Sequence, residues 1–268
     1  MYGEKGGPAT RMGNVAGYRA AFIDAAEYLQ KNATKKSAPA KKHWWSKAGD
    51  ADSGGDSGGK RDLKLDTLAG AINGDIRVHI HCYRADEMAT MLDLSKEFGF
   101  HIAAFHHAVE AYKIGDRLAA ENVCAGMWAD WWGFKMEAFD GIQENIALVD
   151  RVPKSCAIVH SDSEEGIQRL NQEAAKAVAS ARRAGIEIAP EHAIVWLTAN
   201  PAKALGIEKQ TGTLEAGKMG DVVVWNGSPF SSYALAEQVY IDGAEVYDRH
   251  QPRLQPTSDF MLGQEVTP

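Results

Sequence analysis

From Asp62 onward the chain alternates strand and helix four times, and no other feature restricts its fold so strongly. IRVHIHCY (76–83) alternates like a strand, and DEMATMLDLSKEFG (86–99) has helical spacing. FHIAAFHH (100–107) precedes the helical VEAYKIGDRLAAEN (109–122), and VCAGMWAD (123–130) precedes FKMEAFDGIQENIALVDR (134–151). CAIVHSD (156–162) leads into IQRLNQEAAKAVASARRAG (167–185). Such alternation predicts successive βαβ units on a parallel sheet. Ahead of it, DLKLDTLAGAIN (62–73) places Leu63, Leu65, Leu68 and Ile72 on one helical face. Behind it, PEHAIVWLTANPAKALGI (190–207) reads as a helix that ends or kinks near Pro201. The short β-rich runs in TGTLEAGKMGDVVVWNGSPF (211–230) and QVYIDGAEVYD (238–248), parted by Gly turns, predict a small antiparallel appendage.

The first 61 residues are organised differently. A helix is expected over Tyr18–Gln30, followed by a Lys-, Gly- and Ser-rich insertion that carries the pair Trp44–Trp45. The expected division is therefore 1–61, an N-terminal segment; 62–206, the βα array; 207–249, the β-rich appendage; and 250–268, a tail.

In a parallel α/β array, chemistry gathers at the C-terminal ends of the strands. His79 and His81 end the first strand, His106 and His107 the second, Asp130 the third, and His160 with Asp162 the fourth. One imidazole at a strand end is ordinarily just a hydrogen-bonded residue. Several consecutive strands converging on one edge with imidazole and carboxylate groups instead favour a site for a zinc-like divalent ion, with an Asp able to act as base toward water. Asp130 is the weaker candidate, since it could equally cap a helix, and the following Trp131–Trp132 pair could equally be packing.

Other chemistries fit less well. There is no GxSxG elbow, and the Gly-rich run DSGGDSGGK has no apolar strand before it, as a phosphate loop requires. Cys82, Cys124 and Cys156 lack CxxC spacing and indicate neither a disulfide framework nor a zinc knuckle; Cys124 and Cys156 read as core, and Cys82 has no evident activating partner. A net charge of −7 argues against a nucleic-acid partner. No apolar run is long enough to span a membrane. The polar N-terminus is not a secretory signal, so a cytoplasmic location is expected, or a periplasmic or exported one if a signal precedes this sequence. An interaction module built on the Lys-rich segment 35–48 is a further reading.

Several motifs together resemble the amidohydrolase superfamily. LTANPAKALGIEKQTGTLEAGKMGDVVVWNGSPF (197–230) is similar to its NPA-x-x-LG helix leading into a GTLEAGKxxDVVVW strand, and VHIHCYRADEM, AFHHAVEAYK and IVHSDS resemble strands of its imidazolonepropionase-like branch. The likeness runs from Asp62 to Arg249, and more weakly through GGPATRMGN near the start. It implies a partial (β/α)8 TIM-type barrel, strands about four to eight, with a remnant of a small β-sandwich. It also implies a site for one or two divalent ions, zinc first among them. Matched by position, His79 corresponds to the fifth-strand ligand, His107 to the sixth-strand ligand and Asp162 to the eighth-strand ligand and proton shuttle. His81 and His106 are alternative ligands, because a one-residue slip exchanges strand faces.

The implied reaction is hydrolysis of a carbon–nitrogen bond in a small amide, cyclic amide or peptide-like substrate. His107 would help to polarise the carbonyl, and Tyr83, Arg84, Asp130 and Trp131 would read the substrate. Spacing argues that His79-Ile80-His81 is not the family's first-strand His-x-His, since the next His pair follows after a single βα unit. The expectation is then a C-terminal portion of a longer hydrolase. The alternative to a working hydrolase is that such a portion is catalytically incomplete alone, lacking the first-strand His-x-His, and forms a homo-oligomer or takes a complementing chain to cover its open sheet edges.

Overall fold

A computed structural model describes residues 10–37 and 61–254. Trp44–Trp45, most of the Lys/Gly/Ser-rich insertion, and 255–268 of the expected tail lie outside the described residues. Two compact units divide after Val78, Ala89 and Ile102.

In the first unit, the helix expected over Tyr18–Gln30 is longer, running over Arg11–Ser37 (α1). Phe22 of α1 is buried, stacked 5.5 Å from Phe98 and 4.4 Å from Phe100. Arg19 forks onto the Glu97 carboxylate at 2.8–3.0 Å, and Tyr28 donates to Asp66 at 2.7 Å. Asp62 caps the next helix, Leu63–Asn73 (α2), by accepting from the Lys64 and Leu65 amides. Gly74, at φ 80°, ends it in the left-handed conformation.

The second unit holds most of the βα array. Val78–His81 (β1), Ala85–Phe98 (α3), Ile102–His106 (β2), Gly115–Ala120 (α4), Cys124–Met127 (β3), Asn145–Asp150 (α5) and Ala157–Val159 (β4) follow in chain order. The four strands form one sheet in the order β1-β2-β3-β4, and β2, β3 and β4 pair in parallel, with His106 opposite Gly126 and Gly126 opposite Ile158. The predicted mixed α/β class with a parallel sheet is thus present. Strand interiors are small and apolar: Ala104, Phe105, Cys124, Ala125, Met127 and Ala157 are all buried.

The helices are more broken than the spacing predicts. The helix expected over 134–151 is confined to α5, and its first half is a loop with a single 3-10 turn at Met136–Ala138. Gly133, at φ 74°, donates to the Ala138 carbonyl at 2.7 Å and turns the chain back on itself. Ile114 (φ −136°) separates α4 from a preceding 3-10 turn. Arg169 (φ −128°) separates Glu164–Ile167 (α6) from Leu170–Arg183 (α7). Helix α7 docks by Ala174, Ala177 and Ala181, one stripe at helical spacing.

The break expected near Pro201 lies at Thr198 instead, between a 3-10 turn that follows Pro190–Ala193 (α8) and Ala199–Leu205 (α9). Pro201 falls in the first turn of α9, where its missing N–H removes no helical bond. Asn200 donates to the Ala157 carbonyl at 2.8 Å, tying α9 to β4, and Gly206 (φ 74°) stops the helix.

Val222–Trp225 (β5), Ala236–Ile241 (β6) and Ala244–Asp248 (β7) form the expected antiparallel sheet, in the order β5-β6-β7. Asp242-Gly243 joins β6 to β7, with φ 49° and 79°, the positive values a two-residue hairpin turn needs.

The cysteine reading needs one correction. Cys124 and Cys156 are buried, as expected of core residues, but they form a disulfide. Adjacent parallel strands set them opposite each other at a Cα–Cα distance of 4.5 Å, a proximity that a sequence separation of 32 does not reveal. Cys82 is buried with its thiol pushed up to about 12, chiefly by burial and then by Glu87, which leaves it inert.

Candidate metal centre

His107 is the pivot of the site. Strand β2 ends at His106, and the next residue turns into the left-handed region at φ 56°, a conformation that costs a non-glycine residue energy. The following backbone is pinned: the Ala108 amide donates to the Gly126 carbonyl at 3.0 Å, and buried Asn145 donates from Nδ2 to the Ala108 carbonyl at 2.9 Å. Asn145 Oδ1 also accepts from the Tyr112 amide at 2.9 Å, so α5 braces both sides of the turn. His107 is therefore held with its imidazole buried, 2% exposed.

Three groups converge on this ring. His160 Nε2 is 2.9 Å from His107 Nδ1, Asp162 Oδ2 is 3.0 Å from the same nitrogen, and Asp162 Oδ1 is 3.3 Å from His160 Nε2. His107, His160 and Asp162 each offer a ligand atom, all within 4.8 Å of one another. On the opposite side of the ring, His107 Nε2 meets His81 Nδ1 at 2.5 Å. His79 lies beside this group rather than in it: its Nδ1 is 2.9 Å from His106 Nε2.

The electrostatics favour neutral imidazoles. Burial first, then the neighbouring imidazoles, lowers His107 to about 3 and His106 to about 4; burial is also the main cause that lowers His160. Neutral imidazole is the form that ligates a cation. Asp162, with its side chain 43% exposed, supplies the one carboxylate of the three and is open to solvent.

The expected substrate-reading residues divide. Tyr83 stacks on His107 with ring centroids 5.4 Å apart. Trp131 sits one ring further out, 5.7 Å from Trp128. Arg84 pairs with Asp86 at 3.0 Å. Asp130 pairs with Lys176 at 2.9 Å and lines a separate small cleft with Gln143 and Arg183.

Three neighbours escaped the candidate residues chosen from sequence. His160 reads from sequence only as a strand end, although its place beside Asp162 on that same end is the available signal. Trp128 packs on His107 at 5.0 Å, and Lys135 donates to the Tyr83 hydroxyl at 2.6 Å. A loop lysine carries no periodic signature, so nothing in the sequence singled it out.

Residues 157–247 match the Amidohydrolase family. Amidohydrolase tasK of Hapsidospora irregularis is 30% identical over 247 residues, which is 90% of this chain and 24% of tasK. Imidazolonepropionase of Shewanella oneidensis is 51% identical over 39 residues, 15% of this chain and 10% of that protein. The solved structure of an amidohydrolase from Thermotoga maritima MSB8 superposes with a TM-score of 0.74 at 30% identity, covering 91% of this chain and 58% of that one. The chain thus spans about a quarter of tasK and under three fifths of the Thermotoga chain. Among the described residues, no helix is long and apolar enough to cross a membrane.

Proposed function

This chain belongs to the amidohydrolase superfamily, and from that premise we propose that it serves metal-dependent hydrolysis of a carbon–nitrogen bond in a small amide. The observation that carries the reading is the His107–His160–Asp162 group. Two neutral imidazoles and a carboxylate are the donor types of a catalytic zinc site, which takes three protein ligands and leaves a fourth position for water or substrate. When bound, such an ion lowers the pKa of water and polarises the scissile carbonyl.

The chain's own residues supply the rest. Asp162 accepts a proton from the attacking water as the new carbon–oxygen bond forms, then gives it to the leaving nitrogen as the carbon–nitrogen bond breaks. Its exposure leaves that carboxylate reachable from solvent. His81, against the far nitrogen of His107, fixes the orientation of that ring. Tyr83 and Trp128 cover faces of the His107 imidazole and keep bulk water from it. His79 and His106 form an adjoining pair that could take part in a second ion's site. In this reading the four-stranded sheet is part of a TIM-type barrel, and β5–β7 are the remnant of its sandwich.

The test is hydrolysis of N-acyl amino acids, dipeptides and cyclic amides by the zinc-loaded chain. Activity abolished by a chelator and restored by zinc is expected. Zinc bound at the site with no hydrolysis of any of these substrates would contradict it.

A further inference from the structure

The aromatic loop after β3 carries features that the hydrolytic reading leaves unused. Among the described residues, the Trp128 indole N–H is buried and has no hydrogen-bond partner, although its ring packs on His107 at 5.0 Å and on Tyr83 at 5.7 Å. A buried unpaired donor beside a candidate centre is costly unless something accepts from it. Tyr83, which packs on Trp128, also carries a cation: Lys135 Nζ lies 4.0 Å from the centre of its ring while donating to its hydroxyl. The same loop presents Trp131 and Phe134, each 5.7 Å from Trp128, exposed rather than packed away.

A cation and an unsatisfied N–H next to the imidazole group, flanked by exposed aromatic rings, match an anionic acceptor attached to an apolar body. We infer that the substrate is an amide bearing a carboxylate next to an apolar side chain, as in an N-acyl aromatic amino acid. Its carboxylate sits on Lys135 Nζ and the Trp128 N–H, and its side chain lies against Trp131 and Phe134. The inference rests on the hydrolase reading, whose substrate it specifies. Lys135 is a specificity residue here, and Asp162 remains the proton-carrying group.

The experiment compares N-acetyl-phenylalanine with its uncharged amide, N-acetyl-phenylalaninamide, by calorimetry on the zinc-loaded wild-type chain and on Lys135→Met, Lys135→Arg and Trp128→Phe. The carboxylate is expected to bind at least about tenfold tighter than the amide to wild type. That preference should vanish in Lys135→Met, persist in Lys135→Arg and weaken in Trp128→Phe, which keeps an aromatic ring but removes the N–H along with part of the indole. Equal affinities in wild type, no binding of either probe, or a preference that survives Lys135→Met would overturn it. Hydrolysis is scored separately: turnover of both probes without a carboxylate preference sinks this inference alone, and selective binding without turnover sinks the hydrolase reading alone.

Discussion

His107 Nδ1 lies 3.0 Å from Asp162 Oδ2, a contact between the first residue beyond β2 and the third beyond β4. With His160 Nε2 on the same nitrogen at 2.9 Å, it turns three strand-end side chains into one donor group. That convergence ties the fold to the proposed chemistry.

The proton-carrying role of Asp162 predicts a kinetic loss without a folding defect. Asp162→Asn should lower the rate of amide hydrolysis by about 10²–10⁴-fold, the usual worth of a positioned acid–base group. Its thermal unfolding should stay close to wild type, because the side chain is half exposed. Steady-state rates equal to wild type would remove Asp162 from the mechanism.

His81 touches His107 on the nitrogen opposite the donor group. An orienting partner of this kind typically governs metal affinity by about 10–100-fold, so His81→Ala should weaken zinc binding by that factor. A competition titration with a chromophoric chelator measures it.

The depressed imidazoles make stability depend on pH. In the unfolded chain they titrate near 6.5, whereas folded His107 and His106 sit at about 3 and about 4. Between those values the unfolded state binds protons that the folded state refuses, so stability is complete above pH ~6.5 and falls as pH drops toward ~4. Burial is incomplete at His106, and about 1–2 kcal/mol per imidazole at pH 5 is the expected scale. Urea midpoints of the metal-free chain at two pH values would show it, and His106→Gln should flatten the slope.

Asn145 holds the turn that carries His107. Asn145→Ala strands the Tyr112 amide and the Ala108 carbonyl and should cost about 1–3 kcal/mol. Denaturant unfolding gives the number, and a cost near zero would mean that the turn is held by other contacts.

How much of this the sequence discloses follows from range. The parallel strands and their polar ends are legible because period-two alternation is local and strand order follows chain order. The disulfide is not, since Cys124 and Cys156 meet only once β3 and β4 are neighbours. The loop over 134–144 has apolar spacing that imitates a helix, yet Gly133 at positive φ and Gly141 against Trp132, where a Cβ would come within 2.3 Å, fold it as a loop. Which imidazoles meet was equally hidden. Strand alternation treats His106 and His107 as facing opposite ways, but the left-handed turn at His107 ends the strand geometry there and sends the ring to His160 and Asp162.

Calorimetric titration of zinc into the metal-free chain tests the donor group most directly. Wild type should bind with an affinity that collapses in His107→Ala, His160→Ala and Asp162→Ala alike, while each variant keeps its circular dichroism spectrum. Zinc binding of undiminished strength in any of the three would contradict the account.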